Sequence, residues 1–192
     1  MLKSSQQHRC DWSLSDPLLR EYHDKEWGVP IHHDAKLFEF LTLEGAQAGL
    51  NWLTILRKRT GYHKAFDSFD LEKISSYRQK KVNVLLQDSG IIRHKLKILS
   101  TIQNAKSALA VKDEFGSLDR YFWSFVKDAK PIKNKWNSMT QVPATSEESD
   151  ALSKDLKKRG FRFVGSTICY AFMQATGMVN DHKVSCFRYS QV

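Results

Sequence analysis

The sequence predicts an all-α protein. Apolar residues recur at helical spacing along the whole chain, helix-start and helix-stop residues bracket those stretches, and no segment alternates apolar and polar residues long enough to define a strand. A length of 192 residues suffices to bury a core within one domain, 1–192, or within two small helical lobes sharing a cleft.

The elements follow in order. Asp34 is placed to cap a helix that carries Leu37, Phe38 and Leu41 on one face. Trp52, Ile55 and Leu56 form the stripe of the next helix, with Arg57, Lys58 and Arg59 behind them. Asp70 opens a short helix through Leu71 and Ile74. Another runs through Val82, Val84, Leu85 and Leu86 and stops at Gly90. The pattern resumes at Ile92 with Leu96, Leu99, Ile102 and Leu109, so residues 80–110 read as helix, tight glycine turn, helix. Ser117 precedes an aromatic helix with Tyr121, Phe122, Trp123 and Phe125. Residues 128–145, with Pro131 and Pro143, read as a loop. Thr145-Ser146-Glu147-Glu148 reads as a capping box for a helix ending at Lys157-Lys158-Arg159-Gly160, cations and a glycine where the dipole and the C-cap favour them. Ser166 is placed to cap the last helix, through Cys169, Phe172 and Met173 to Gly177.

The chain is basic, with 30 Lys and Arg against 21 Asp and Glu. Its cations cluster at 57–59, 78–81, 93–97 and 157–159, which favours nucleic acid over membrane as a polyanionic partner, although solvated helix ends would carry the same runs. The stretch Met1 to Arg9 lacks an apolar leader, and no uninterrupted apolar run approaches the ~18 residues that span a bilayer. The expected location is the cytoplasm.

Three features can carry chemistry. Glu44 is the one carboxylate in the run Leu43 to Trp52, and an unpaired buried carboxylate must find donors, a cation or a ligand. Trp12, Tyr22, Trp27 and Trp52 flank it in the sequence, residue types that form a slot for a flat, electron-poor ring as readily as they form core. Cys10 and His23 near one end and His182 and Cys186 near the other have the composition of a closed, structural Cys2His2 zinc site, with His8, His32, His33 and His94 as competing ligands and a metal-free reading also open. Cys169 reads as core. The glycine turn at Gln87 to Lys95 reads as an anion-binding helix start or as an ordinary helix-helix turn.

Six ordered blocks carry a family resemblance: Cys10-Asp11-Trp12, Tyr22 to Pro30, Leu43 to Leu50, Gly90-Ile91-Ile92-Arg93-His94, Lys157 to Phe161, and Gly165 to Tyr170 through Val179-Asn180-Asp181-His182. Together they resemble the bacterial 3-methyladenine DNA glycosylase I family, over nearly the whole chain from Arg9 to Cys186. The resemblance implies a helix-hairpin-helix glycosylase fold and one structural Zn2+ per chain held by Cys10, His23, His182 and Cys186. It implies a base pocket of Trp12, Tyr22, Glu44 and Trp52, with Glu44 the catalytic residue. It also implies DNA contacts from Gly49 and Leu50, the wedge turn, and from Gly90, Ile92 and Arg93 at the hairpin. Two positions depart from the pattern: Asn51 replaces the usual serine, and Leu19 stands where a relative has tyrosine. The expected activity is monofunctional hydrolysis of the N-glycosidic bond of 3-methyladenine in double-stranded DNA, by a monomer that releases free 3-methyladenine. The alternative is a zinc-stapled, non-catalytic module that binds damaged DNA.

Overall fold

The computed structural model describes residues 7–192. The first six residues, which belong to the stretch read above as lacking a leader, lie outside the described residues. The nine helices described are α1 (Pro17–Lys25), α2 (Asp34–Gln47), α3 (Trp52–Ala65), α4 (Leu71–Ser75), α5 (Gln79–Gln87), α6 (Lys95–Phe115), α7 (Leu118–Trp123), α8 (Glu147–Lys158) and α9 (Ser166–Ala175). The 3-10 turn Asp11–Leu14 precedes α1. The all-α expectation holds, with one small exception in the loop after α7. There β1 (Ile132–Lys133) pairs in parallel with β2 (Val179–Asn180) and ties the loop to the chain just before His182.

The architecture centres on α2. Ten of its fourteen residues are buried, and it packs against α3, α6, α7 and α9. A helix enclosed on so many sides has no wide polar face, which explains how Glu39 and Glu44 came to be interior. Glu39 is compensated locally: Arg59 Nε lies at 2.6 Å and Lys36 Nζ at 2.8 Å. Glu44 has no such neighbour. Among the described residues, no helix is long and apolar enough to cross a membrane.

Several caps fall one residue from where the sequence places them. His33, not Asp34, is the N-cap of α2; Asp34 accepts the Asp119 amide at 3.1 Å and pairs with Lys112 at 3.1 Å. Ser146 and Ser149 form the reciprocal box that opens α8, in place of Thr145 and Glu148. Gly165 is the N-cap of α9, and the Ser166 hydroxyl faces Ser149 Oγ at 2.8 Å. Asp70 and Ser117 cap as expected. Helix α1 is unanticipated, although Asp16-Pro17 is a helix-start signal: the Asp16 carboxylate accepts the Leu18 amide at 2.8 Å, and proline suits the first helical position.

The turn between α5 and α6 rests on α3. A Cβ at Gly61 would lie 2.2 Å from the Gly90 carbonyl oxygen, so the two backbones touch where only glycine fits. Lys58 Nζ donates to Ser89 O at 2.6 Å, and the Tyr62 hydroxyl accepts the Ile92 amide at 3.3 Å. The Gly90 amide is bonded to Asp88 Oδ1 at 2.7 Å. The idea of a wholly free row of amides in this turn is therefore corrected: the Gly90 and Ile92 amides are engaged by Asp88 and Tyr62, and the Lys97 amide in the first turn of α6 is taken by His94 Nδ1.

Candidate base pocket and metal centre

Cys10, His23, His182 and Cys186 converge in the interior, with their ligand atoms all within 4.8 Å of one another. Cys186 Sγ lies 3.4 Å from His23 Nε2 and 3.6 Å from His182 Nδ1, and Cys10 Sγ lies 3.7 Å from His182 Nδ1. A tetrahedral centre with bonds of about 2.0–2.3 Å sets its ligands about 3.3–3.8 Å apart, the range of these three separations, so the donor set suits one. The competing histidines stay outside the cluster: His8 is exposed, His32 stacks on Trp123 and pairs with Asp119, His33 sits at the N-cap of α2, and His94 caps α6.

Both imidazoles are oriented from behind. His23 Nδ1 lies 2.8 Å from Asp24 Oδ1, and Arg9 grips the same carboxylate at 2.8–3.0 Å. Against the desolvation of its setting, hydrogen bonds from Arg9 and His23 hold Asp24 below the ordinary carboxylate range. His182 Nε2 meets the Trp27 carbonyl at 3.0 Å. Each ring thus commits its outer nitrogen and presents the other to the sulfurs. Its hydrogen bond with Cys10, followed by those with His182 and His23, pulls the Cys186 thiol down, while the same contact and burial push Cys10 up. The pair sheds a first proton readily and a second reluctantly, as two thiols do when they share one small site.

Beside this centre is a cavity of about 510 Å³. Trp12 comes from the first 3-10 turn, Tyr22 from α1, Glu44 from α2, Trp52 from the first position of α3 and Gln174 from α9. The Tyr22 ring lies 5.4 Å from Trp52 and 6.3 Å from Trp12, and Trp12 meets Trp27 edge-on at 5.1 Å. The four base-pocket residues expected from the sequence are therefore brought together on one cavity.

Glu44 is 4% exposed and makes no hydrogen bond among the described residues. Burial alone pushes its carboxyl up to about 8. The Trp52 indole Nε1 is also buried without a partner. The unpaired acid on this aromatic cavity is a polar group whose hydrogen-bonding capacity remains for a bound molecule. Burial first, then the nearby Glu44 and Glu26, keep the Tyr22 hydroxyl protonated far beyond its ordinary range.

A second cavity of about 200 Å³ adjoins the first at Glu44, Gln47 and Ala171 and is bounded by Gly49 and Leu50. Leu50 is 42% exposed beside it. Asn51 Oδ1 accepts both the Thr54 amide and its hydroxyl at 2.8 Å, so this departure retains the N-cap that a serine would provide. Leu19 lines the pocket and adds apolar surface where a tyrosine would add a hydroxyl.

Sequence reasoning missed Asp181, which is fully buried and bonds to the cavity-lining Gln174. Its Oδ1 accepts from Asn134 at 2.8 Å and Trp136 Nε1 at 2.7 Å, and its Oδ2 accepts from the Tyr170 hydroxyl and Gln174 Nε2, each at 2.7 Å. The signal available was an acid directly before a metal-ligand candidate.

A helical fold with an aromatic, acid-bearing cavity is suited to binding a flat, electron-poor ring, and comparison with known proteins gives the chain its family. The methyladenine glycosylase family model matches residues 12–189, so the chain belongs to the methyladenine glycosylase family. It is 48% identical to DNA-3-methyladenine glycosylase 1 of Escherichia coli, over 94% of this chain and 96% of that protein. A crystal structure of 3-methyladenine DNA glycosylase I superposes with a TM-score of 0.91 at 50% identity, covering 94% of this chain and 98% of the other. A tyrosine-to-phenylalanine variant of 3-methyladenine DNA glycosylase I, solved in complex with 3-methyladenine, superposes with a TM-score of 0.90 at 31% identity, covering 93% and 96%.

Proposed function

We propose that this protein is a DNA-repair glycosylase that flips 3-methyladenine out of duplex DNA and hydrolyses its N-glycosidic bond, leaving an abasic site. The observation that carries this reading is Glu44, a buried carboxyl without a protein partner, facing a cavity walled by Trp12, Tyr22 and Trp52. Methylation at N3 makes the adenine ring cationic. A cationic ring stacks on indole faces and draws Glu44 into its charged form, so binding energy is directed to the damaged base over its neutral parent. The lesion is already a good leaving group, and water attack on an oxocarbenium-like sugar completes a monofunctional hydrolysis.

Flipping costs a few kcal/mol of stacking, which wedge and phosphate contacts offset. Leu50, raised on the turn at Gly49, fills the vacated space, and the hairpin at Gly90, Ile92 and Arg93 seats the backbone at the start of α6. Cys10, His23, His182 and Cys186 would hold one structural zinc, with no open position for water and no step in the chemistry. The chain acts as a single-domain monomer, its two helical lobes flanking the cleft, and no contact with membrane enters the reading. The test is incubation with duplex containing 3-methyladenine and chromatography of the released base. Free 3-methyladenine with an alkali-labile abasic strand is expected; tight binding without release would establish the non-catalytic module instead.

A further inference from the structure

The turn that lifts Leu50 has a defined geometry. Ala48 has φ −45° and ψ 117°, Gly49 has φ +76°, and the Leu50 amide bonds to Gln47 O at 2.6 Å. These are the features of a type II turn over Gln47–Leu50, in which the third residue requires positive φ and glycine provides it. A type II turn differs from type I by rotation of its central peptide, here the one joining Ala48 to Gly49. The carbonyl of that peptide belongs to Ala48.

Lys97 Nζ lies 2.6 Å from Ala48 O and 2.7 Å from Ala46 O. The ammonium therefore holds the central peptide in its type II orientation while satisfying a carbonyl from the last turn of α2. Its placement works against its own helix. Lys97 is the third residue of α6, where the dipole disfavours a cation, but it stands at the C-terminal end of α2, where the dipole favours one. Burial pulls the ammonium below its ordinary range, so the charge is held at a cost that two carbonyls offset. Around it Arg93, His94 and Lys95 are exposed, and Lys97 alone of this basic run is turned inward.

We propose that Lys97 is a positioning residue that locks the wedge turn and couples it rigidly to the phosphate-gripping start of α6. DNA seated on the hairpin would then meet Leu50 already aimed at the base stack, which avoids an ordering cost at the moment of flipping. The proposal rests on the reading of Leu50 as the wedge. It assigns Lys97, a cation on the face that meets DNA, to two backbone carbonyls and not to a phosphate.

The test is a double-mutant cycle of Lys97→Met and Leu50→Ala, read by single-turnover excision from duplex. Lys97→Met alone should slow excision about tenfold, yet by less than about twofold in the Leu50→Ala background, because the two act as a unit. Binding of free 3-methyladenine should be unchanged. The slope of log affinity for undamaged DNA against log salt should also stay the same, whereas loss of a phosphate contact would make it shallower by about 0.9. A full tenfold loss persisting in the Leu50→Ala background, a shallower salt slope, weakened base binding or unaltered excision would each overturn the proposal. If Leu50→Ala alone leaves excision intact, the wedge reading itself fails and takes the proposal with it. Should Lys97→Met not fold, Lys97→Gln, which keeps a donor and loses the charge, runs the same cycle.

Discussion

His182 Nε2 stands 3.0 Å from the backbone carbonyl oxygen of Trp27, and the two rings meet edge-on at 4.6 Å. Trp27 lines the aromatic cavity and packs against Trp12, so this contact joins the Cys2His2 cluster to the proposed base pocket. Metal analysis should find about one zinc per chain. Removing it, or making Cys186→Ser, should lower the melting temperature and weaken binding of 3-methyladenine together, because Cys10 also leads directly into Trp12. A zinc-free preparation with native stability and activity would refute the assignment.

Leu50 is predicted to matter only when there is a base stack to enter. Leu50→Ala should slow excision from duplex roughly tenfold or more, since the wedge offsets part of a few kcal/mol of unstacking. Free 3-methyladenine should bind the variant with native affinity. Equal losses in the two measurements would show a damaged fold and not a missing wedge.

The legibility of this chain follows the range of the interactions involved. Helices α2, α3 and α6 were readable because apolar periodicity and terminal residues are local signals. Their caps were less so: Asp34 has the right chemistry for an N-cap, but a tertiary partner, the Asp119 amide, takes its carboxylate. Helix α1 hid behind its short, largely polar sequence despite Asp16-Pro17. The Cys2His2 cluster and the residues that line the aromatic cavity were accessible through residue types in an ordered family pattern. Lys97 was not, because its role depends on reaching carbonyls forty-nine and fifty-one residues away, and a backbone acceptor leaves no mark on the residue type that supplies it. Asp181 escaped for a related reason: its four donors come from two other segments, Asn134 and Trp136 from the loop after α7 and Tyr170 and Gln174 from α9.

Asp181→Asn should destabilise the protein by about 2–4 kcal/mol, measured by denaturant unfolding. The amide nitrogen cannot accept, so it would face a donor on one side of a fully buried site. Because Gln174 lines the pocket, base affinity should fall as well. An unchanged unfolding midpoint would mean that the surrounding donors relax onto other partners.

The strongest prediction concerns Glu44 and pH. Its carboxyl is raised from 4.5 to about 8 in the fold, so the folded chain holds a proton that the unfolded chain gives up. The stability this confers is complete below about 4.5 and disappears as pH rises through about 8. The difference in stability between native protein and Glu44→Gln should therefore move steadily in favour of the variant from pH 5 to pH 8. Excision should move the other way. A cationic base favours the carboxylate, so native kcat/KM should climb toward pH 8 while the variant, with nothing to ionise at this position, stays flat. At pH 8 the loss of a charge-assisted hydrogen bond worth ~1.5–3 kcal/mol corresponds to roughly ten- to hundred-fold slower excision in Glu44→Gln. Affinity for undamaged duplex, set by phosphate contacts, should be the same for both proteins. Parallel pH profiles in the two, or normal excision by a variant that merely melts earlier, would remove Glu44 from the recognition of the base.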